Sequence, residues 1–342
     1  MKSTLKRVCL TPRVSGVGGM VSFQAKLTTG LEACGIQVTY DLEDEPFDSV
    51  LVIGGTRQLV GLRRAKRRGI PIVQRLDGMN WLHRRTRTGL RHWLRAEVAN
   101  WLLAYIRGRI ATRMVYQSRF VQDWWRRVYG EGPSRQHVIH NGVNLDLFNP
   151  QGEERPPQDR TRILLVEGSL QGGYELGLQS AVALAEAVQT RMGTPVALVV
   201  AGRVETKLKE KWNGQTRVPI EWLGVLPNEE IPALNRGAHL LYSSDLNAAC
   251  PNSVIEALAC GLPVLAFDTG ALKELVIPQS GRVAPYGGDP WKLDEPNIEA
   301  LSAGAFEIMA NQAGLRAGAR ARAEEAFGLD KMVNAYIEAL RA

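Results

Sequence analysis

The stretch CPNSVIEALACGLPVLAFDTGALKELV (250–276) carries the signals of a strand–helix–strand unit and decides the fold class. An apolar run, HLLYSS (239–244), precedes it and a second run, PVLAFD (263–268), lies within it; both are typical of buried strands. Between the runs, Ser253 and Glu256 have the spacing of a capping box, and Gly261 is a natural end for a short helix. Buried strands that alternate with helices favour a parallel sheet.

The same alternation continues along the chain. The remaining predicted strands are KRVCLTP (6–12), IQVTY (36–40), SVLVIGG (49–55), IPIVQRL (70–76), RMVYQS (113–118), HVIHNG (137–142), RILLVEG (162–168), PVALVVAG (195–202) and PIEWLG (219–224). A helix that ends at Gly35 is predicted by the helical spacing of Met20, Phe23, Leu27, Leu31 and Cys34. The polar segment NPQGEERPPQDR (149–160) predicts a linker between two Rossmann-like α/β domains. The alternative is one long doubly wound sheet, in which this segment would be a long structureless loop.

The composition excludes several classes of protein. A chain of 342 residues with 45% apolar and 23% charged residues is typical of a globular protein of about two domains. Its four cysteines form no CxxC pair and its histidines are few, so we expect neither a zinc site nor a disulfide framework. The basic N-terminus lacks the apolar core of a secretory signal, and no apolar run of about 18 residues is present, so we expect a cytoplasmic protein.

Positive charge is concentrated in residues 57–135. This segment holds 19 Lys and Arg but only four Asp and Glu, a net charge of +15 compared with +7 for the whole chain. Within it, HWLRAEVANWLLAYIRGRIATR (92–113) places Trp93, Val98, Trp101, Leu102 and Ile106 among arginines. Such a helix either binds an anionic membrane surface or packs into the core with a solvated cationic rim. No nucleic-acid-binding module accompanies it, so we expect no nucleic-acid partner.

The glycine turn GVGG (16–19) lies between the first predicted strand and helix. Backbone N–H groups and the helix dipole favour an anion there, which predicts a phosphate site; an ordinary tight turn is the alternative. A dinucleotide fingerprint would need a third glycine where Val21 stands, with Asp41 as the ribose-binding acid. An NAD-dependent oxidoreductase is therefore the weakest functional alternative.

Glu256 also has two interpretations. The capping box gives it a structural role, whereas a helix that opens after a strand directs it toward the crevice where open α/β sheets bind ligands. A carboxylate beside a nucleotide accepts hydrogen bonds from both ribose hydroxyls. The spacing alone leaves the two interpretations open.

Residues 250–276, the block VIHNGVNLDLFNP (138–150), the glycine turn and the closing helix together resemble a family 4 retaining glycosyltransferase of the GT-B fold. The resemblance covers nearly the whole chain. It implies two Rossmann-like domains that face each other across a cleft: an acceptor domain over 1–150, a linker over 151–161, a donor domain over 162–319 and a C-terminal helix over 320–342 that crosses back to the first domain.

The activity implied by the resemblance is transfer of a sugar from a nucleotide-sugar donor to an acceptor, with retention and without a metal or other cofactor. The acceptor is expected to be lipid-linked, a glycan or another compound. With its cationic first domain, the protein is expected in the cytoplasm, at the inner face of the membrane, in glycan, glycolipid or cell-envelope polysaccharide synthesis.

The resemblance also implies site residues. Glu256 matches the second acid of the family's E-x7-E motif and is expected to bind the ribose. Asp77, in QRLDGMNW (74–81), lies near the family's acceptor-side histidine and is the candidate to orient or deprotonate the acceptor hydroxyl; a turn residue before Gly78 is the alternative. His83 is expected to be a packing or surface residue. The other donor-site and cleft candidates are Gly18, Gly19, Gly168, Cys250, Pro251, Asn252, Ser253, Asn141 and Glu274.

Two charges expected from the family are absent. Ala248 stands where the first acid of E-x7-E belongs, and VEGSLQGGYELGL (166–178) has no basic residue to clamp the donor diphosphate. Departure of a nucleoside diphosphate needs its charge stabilised, which favours either a replacement or a non-catalytic relative that binds a nucleotide, a glycan or a partner protein. The candidate replacements are the amides of Gly172 and Gly173, the side chain of Arg203, and Arg75 or Arg57 of the first domain.

Overall fold

The computed structural model describes residues 5–16, 18–86, 89–170 and 175–341, which form two compact α/β units. The first unit comprises the chain up to Gly142 and again from Leu329, and the second runs from Val143 to Gly328. Each unit is built on a parallel sheet of six strands. The strands therefore form two separate sheets, which confirms the α/β fold class and shows that one long doubly wound sheet is wrong.

The first unit contains the strands β1 (Arg7–Thr11), β2 (Gln37–Thr39), β3 (Ser49–Ile53), β4 (Ile72–Leu76), β5 (Arg113–Tyr116) and β6 (Arg135–Val138). Its first helices are α1 (Gly19–Ala33), α2 (Leu59–Arg67), α3 (Leu90–Tyr105) and α4 (Arg119–Tyr129). The strand order is β2-β1-β3-β4-β5-β6. All side chains of β3 and β4 are buried, as expected where helices cover both faces of a parallel sheet. Phe23, Leu27 and Leu31 of α1 are buried as predicted, whereas Met20 and Cys34 are exposed.

The second unit contains β7 (Thr161–Ser169), α5 (Glu175–Met192), β8 (Val196–Arg203), α6 (Thr206–Gln215), β9 (Ile220–Gly224), α7 (Ile231–Arg236), β10 (Leu240–Ser243), α8 (Asn252–Ala259), β11 (Val264–Phe267), α9 (Leu272–Leu275), β12 (Gly281–Ala284), α10 (Ile298–Ala310) and α11 (Gln312–Ala326). The strand order β9-β8-β7-β10-β11-β12 is the 3-2-1-4-5-6 order of dinucleotide-binding sheets. Every predicted strand has a counterpart, although the strand predicted at 137–142 lies at Arg135–Val138. β12 was not predicted, because its sequence GRVA contains only two apolar residues.

The last helix, α12 (Leu329–Leu340), belongs to the first unit. It packs on α1, where the rings of Phe23 and Tyr336 lie 5.2 Å apart. Gly30 of α1 permits this approach, since a Cβ there would lie 2.3 Å from Cγ2 of Val333. The final helix is therefore part of the first unit, although the chain reaches it only after the whole of the second.

The division of the chain differs from the expected boundaries of 150 and 320. The first unit ends at Gly142, and the expected linker at 151–161 lies inside the second unit. Arg236 holds this segment there, because its Nε donates to Glu154 Oε2 at 2.8 Å. Just before the segment, Nη1 of Arg320 donates to the Phe148 carbonyl at 2.9 Å. The expected single helix over 320–342 is two helices, because α11 ends before Phe327, whose carbonyl accepts the Val143 N–H at 2.8 Å.

Candidate active site

The carboxyl edge of the second unit's sheet has its topological switch point between β7 and β10, which are neighbours in the sheet although they are far apart in sequence. The chain leaves β7 toward β8 on one side and leaves β10 toward β11 on the other. Ligands of open α/β sheets bind in the crevice outside such a point. The residues that follow β7 and β10 are therefore the first to consider.

Helix α8 follows β10 through a loop that contains Cys250, and Pro251 is its N-cap residue. The helix begins at Asn252, and no side chain caps it. The predicted capping box is therefore wrong, because Ser253 lies inside the first turn. Gly261 adopts φ +68° just after the helix, so its predicted role as the helix stop is confirmed.

Glu256 lies in the middle of α8 and is 8% exposed. Its capping interpretation is lost together with the capping box, so helix formation does not explain a carboxylate at this position. A carboxylate is rarely buried without a role for its charge. Of the two interpretations of Glu256, the capping one is wrong and the ligand-binding one stays a prediction.

The loop between β10 and α8 packs closely on the turn after β11. A Cβ on Gly270 would lie 2.4 Å from the Ala248 nitrogen, and the Ala271 N–H donates to the Ala248 carbonyl at 2.9 Å. Asn247 adopts φ 57° and buries its Nδ2 without a hydrogen-bond partner. The cleft candidate Glu274 follows in α9, where its carbonyl accepts from Arg322 Nη2 at 2.7 Å.

A pair of carboxyl groups at the switch point was missed by the sequence analysis. Glu167 lies near the end of β7 and Asp245 follows β10, next to Ser244, whose Oγ donates to Glu167 Oε1 at 3.2 Å. Burial, with the charge of Asp245, raises the pKa of Glu167 to about 8, and burial raises the pKa of Asp245 to about 6. The pair therefore retains one proton near neutral pH. Each acid is a single letter at the end of an apolar run, and only the strand order brings the two together.

The candidates for the missing diphosphate clamp have different outcomes. Arg203 ends β8 in register with Ser169 of β7, and its side chain is exposed at the carboxyl edge. Gly168 lies on β7 with open space at its Cβ position. Gly172 and Gly173 lie outside the described residues. Of the side-chain candidates, Arg203 is the one in the second unit, where it ends the strand next to β7.

In the first unit, the glycine turn lies where it was predicted, after β1. Gly18 is the N-cap residue of α1 and adopts φ 138°, which favours glycine, and Gly19 begins the helix. A Cβ on either glycine would meet open space. Asp41, the candidate ribose-binding acid of a dinucleotide site, takes part in a local turn instead. Its Oδ1 accepts the Glu43 N–H at 2.9 Å.

Asp77 follows β4 at the carboxyl edge of the first unit's sheet. Burial raises its pKa, and the positive charge of Arg75 partly opposes this rise. Gly78 does not adopt a positive φ; it makes room for a ring, since a Cβ there would lie 2.9 Å from Trp124. The Asp–Gly pair thus serves packing rather than a glycine turn, and a half-buried carboxyl with a raised pKa remains at the strand end.

Arg75 is 1% exposed, which rules it out as a mobile clamp. Its Nη2 donates to Oδ1 of the cleft candidate Asn141 at 3.0 Å, and its guanidinium lies 3.7 Å from the ring centre of Phe23. With its carboxamide oriented to accept, Gln117 receives Arg75 Nη2 at 2.9 Å. Arg57 is exposed after β3. His83 is buried with Nε2 2.8 Å from Glu97, so its expected packing role is confirmed.

Helix α3 presents an apolar surface to solvent, which the core-helix interpretation of residues 92–113 did not predict. In α3 only Ala96 and Asn100 are buried. Ile106, expected on the same side as Trp101, is instead buried in the core of the first unit. We call the outward side the α3 surface; its exposed apolar residues are Leu90, Trp93, Leu94, Val98 and Trp101, and the exposed Arg91 and Arg95 lie beside them.

No helix in the described ranges is both long and apolar enough to cross a bilayer. Nor do three or more His, Cys, Asp or Glu side chains of these ranges cluster as ligands for a metal ion.

Comparison with known structures identifies the fold. The chain resembles sucrose-phosphate synthase from Thermosynechococcus elongatus with a TM-score of 0.74 at 16% identity, covering 97% of this chain and 98% of that one. It also resembles the Anabaena protein HepE in complex with UDP-glucose, with a TM-score of 0.69 at 16% identity and coverage of 98% and 99%. The fold is that of the GT-B glycosyltransferases.

Sequence comparison identifies the family. Residues 161–311 match the family model "Glycosyl transferases group 1", and residues 41–147 match "Glycosyltransferase Family 4". The chain therefore belongs to the group 1, family 4 glycosyltransferases. A curated relative, D-inositol 3-phosphate glycosyltransferase 1 of Catenulispora acidiphila, is 26% identical over 279 residues. The match covers 72% of this chain and 64% of the length of that relative.

Proposed function

We propose that this protein is an active glycosyltransferase that moves a sugar from a nucleotide-sugar donor to an acceptor. The observation that carries the proposal is Glu256, buried in α8 beside the switch point of a sheet with dinucleotide-binding order. In a glycosyltransferase, this carboxylate can bind the ribose of the nucleotide-sugar, because the two ribose hydroxyls can both donate hydrogen bonds to it. The capping role, which was the structural alternative weighed from the sequence, is absent.

The donor occupies the carboxyl edge of the second unit. Glu256 accepts the ribose hydroxyls, while the first turn of α8, from Asn252 and Ser253, supplies backbone N–H groups. Arg203 takes the place of the absent clamp and bonds the diphosphate. The Glu167–Asp245 pair, which retains a proton at neutral pH, offers both a hydrogen-bond donor and acceptors to the sugar hydroxyls.

The acceptor binds the first unit, where Asp77 orients its hydroxyl. A carboxyl with a raised pKa is a better proton acceptor than an ordinary one at neutral pH. The buried Arg75 keeps part of the negative charge on Asp77, and its bond to Asn141 fixes the neighbouring loop. The relative from Catenulispora acidiphila is named as a glycosyltransferase for an inositol phosphate. This name supports an anionic acceptor for the basic first unit.

We expect the reaction to proceed on one face of the sugar, with retention. The acceptor oxygen bonds the anomeric carbon as the bond from that carbon to the diphosphate breaks, and the acceptor proton passes to the departing phosphate oxygen. The protein then acts by positioning and by stabilising the leaving charge. Arg203 supplies the positive charge that stabilises the departing diphosphate, so we expect turnover to be independent of a metal and unchanged by a chelator.

The test is a survey of UDP, GDP, ADP and TDP sugars against lipid-linked, glycan and phosphorylated acceptors. We expect one donor to be consumed with release of its nucleoside diphosphate, which also binds the wild type. Glu256→Gln is expected to weaken this binding at least tenfold, because a charge-assisted hydrogen bond contributes about 1.5–3 kcal/mol. Glu229→Gln, at an exposed acid of the same unit, is the matched control. Binding without turnover across the survey would establish the non-catalytic alternative, and tight binding of NAD instead would establish an oxidoreductase.

The protein is also proposed to act at the inner face of the membrane, with the α3 surface on anionic lipid. Apolar side chains flanked by Arg91 and Arg95 provide insertion and charge complementarity together. The surrounding segment 57–135, with a net charge of +15, extends the attraction. Nucleic acid, the other common anionic partner, is not part of the proposal.

Vesicle flotation tests the α3 surface with a closely matched pair of variants. Val98 in α3 and Val225 in the second unit are 53% and 54% exposed, so Val98→Ser and Val225→Ser remove the same group from equally exposed sites. We expect Val98→Ser to reduce binding to anionic vesicles about three- to tenfold, since burying a valine side chain contributes up to about 1.5 kcal/mol. Equal losses from both variants, or wild-type binding that does not prefer anionic vesicles at low salt, would refute the proposal.

A further inference from the structure

A second cavity lies in the second unit, at the far end of α8 from the proposed donor site. Its volume is about 550 Å³, which is enough for a ligand of nucleotide size. Cys260 and Gly261, just after α8, form part of its wall, whereas Asn252 begins the helix at the opposite end. An eight-residue helix separates these ends by about 12 Å. The cavity is therefore distinct from the crevice at the switch point.

Four arginines and a single acid line this cavity, which we call the arginine pocket. The arginines are Arg155, Arg236, Arg316 and Arg320, and the acid is Glu154. The other wall residues include Pro150, Pro156 and Ala317, which present apolar surface. The composition is that of a site for an anion with a less polar part.

Two of the arginines are already satisfied by the protein. Arg236 binds Glu154, with 2.8 Å between Nε and Oε2. Arg320 binds Glu324 at 2.6 Å, and its Nη1 donates to the carbonyls of Phe148 and Ala259, each at 2.9 Å. These two side chains hold the walls together and have local reasons to be present.

The other two arginines form no salt bridge in the part of the chain that the structure describes, although the charge of Arg155 helps to lower the pKa of Glu154. Arg155 donates from Nη1 only to the carbonyls of Gly152 and Glu154, each at 2.7 Å. Arg316 donates from Nε to Gln312 Oε1 at 3.3 Å and from Nη2 to the Ala238 carbonyl. Burial, and the charge of Arg155, lower the pKa of Arg316. Two cations thus repel each other across the pocket, and an anion between them would turn this repulsion into two attractive contacts.

An adjoining cavity of about 480 Å³ shares Pro156 and Arg316 with the arginine pocket. Arg160 and its carboxylate partner Asp159, 2.8 Å apart, also line it, as does His239. Burial and the charges of Arg316 and Arg162 lower the pKa of His239 to about 4, so its ring is neutral near pH 7. Arg316 is therefore the cation that the two cavities share.

We infer that the arginine pocket binds a small phosphate-bearing anion, held between Arg155 and Arg316, at a site separate from that of the nucleotide-sugar. Guanidinium groups bind phosphate oxygens through paired N–H donors, which ammonium groups do not offer. The apolar walls accommodate the part of the ligand that carries the phosphate. This inference does not depend on the proposed transfer activity.

Calorimetry with inorganic pyrophosphate as the probe tests the site in the full chain. We expect the wild type to bind it and Arg155→Gln to weaken binding at least tenfold, which corresponds to about 1.4 kcal/mol. Arg217→Gln is the matched control, because Arg217 is an exposed arginine of the same unit outside the pocket. Arg316→Gln should weaken binding similarly; because Arg155 is exposed, Arg155→Gln keeps the test valid if Arg316→Gln fails to fold.

Two further measurements identify where the probe binds and which source of phosphate the pocket prefers. If Glu256→Gln abolishes pyrophosphate binding while Arg155→Gln leaves it intact, the anion occupies the donor site and the inference is wrong. Equal losses from Arg155→Gln and Arg217→Gln, or no binding by the wild type, also overturn it. A nucleoside diphosphate titrated into Glu256→Gln should still occupy one site; pyrophosphate binding without this second result would assign the pocket to smaller phosphates. Turnover measured in the same preparations reports separately on the proposed function.

Discussion

The acids at the carboxyl edges of the two sheets have different neighbours. In the first unit, the buried Arg75 lies beside Asp77. In the second unit, Glu167 and Asp245 meet at the switch point, and the exposed Arg203 ends the next strand. Similar folds thus support different electrostatics: one edge has a carboxyl group beside a cation, and the other has two carboxyl groups that hold one proton between them near neutral pH. The difference fits a division of work between an acceptor hydroxyl that must be oriented and a donor sugar that must be held by its hydroxyls.

Replacing Asp77 is expected to have the largest effect. Asp77→Asn should lower kcat about 100-fold, because the carboxylate that orients the acceptor hydroxyl is lost, and leave the KM of the donor unchanged, because the proposed donor site lies in the other unit. The wild-type rate should fall as the pH drops through the raised pKa of Asp77, and the variant should lose this limb. Asp41→Asn, an exposed acid of the same unit, is the control. A variant with full kcat would remove Asp77 from the reaction.

The carboxyl pair of the second unit should be visible in stability. The folded-state pKa of Glu167 is raised from 4.5 to about 8, so in this window the folded chain binds more protons than the unfolded chain. The free energy of unfolding therefore falls as the pH rises from about 4.5 to about 8. Glu167→Gln should flatten this fall and stabilise the protein by about 2 kcal/mol at pH 8.5.

Denaturant unfolding at pH 5 and pH 8.5 measures this effect, with Glu229→Gln as the control at an exposed acid of the same unit. If Glu167→Gln shows the same pH slope as the wild type, the two carboxyl groups do not share a proton, and the contrast between the two sheet edges disappears.

Arg203 should have the smallest of the three effects. Arg203→Gln is expected to weaken nucleoside diphosphate binding about tenfold, the contribution of one charge-assisted contact, and to leave binding of the free nucleoside unchanged. Arg217→Gln controls for the change in net charge. Equal binding of the diphosphate by the variant and the wild type would show that another group, such as the amides near Gly172 and Gly173, replaces the clamp.

Much of the fold could be predicted from the sequence, because runs such as SVLVIGG (49–55) and PVALVVAG (195–202) are apolar on both faces and are separated by helical patterns. The unit boundary could not. The segment 149–160 has the composition of a linker, but long-range bonds from Arg236 to Glu154 and to the Asn149 carbonyl hold it in the second unit. A polar composition does not distinguish a free segment from one bonded to its own domain.

The candidate site shows the same limit. Glu256 could be found because its motif is local. The same local pattern also predicted a capping box, but the N-cap residue is Pro251 and no side chain caps the helix. Glu167 and Asp245 are 78 positions apart, and only the pairing of β7 with β10 makes them neighbours. The outward direction of the α3 surface was equally hidden, since periodicity shows that a helix has an apolar side but not what that side faces.

The most direct test of the central claim is a crystal structure of the protein with the nucleoside diphosphate that it binds most tightly. The account predicts the ribose hydroxyls at hydrogen-bond distance, about 2.7–3.0 Å, from the Glu256 carboxylate, with the diphosphate directed toward Arg203. A nucleotide bound only in the arginine pocket, or at the glycine turn with Glu256 untouched, would contradict it.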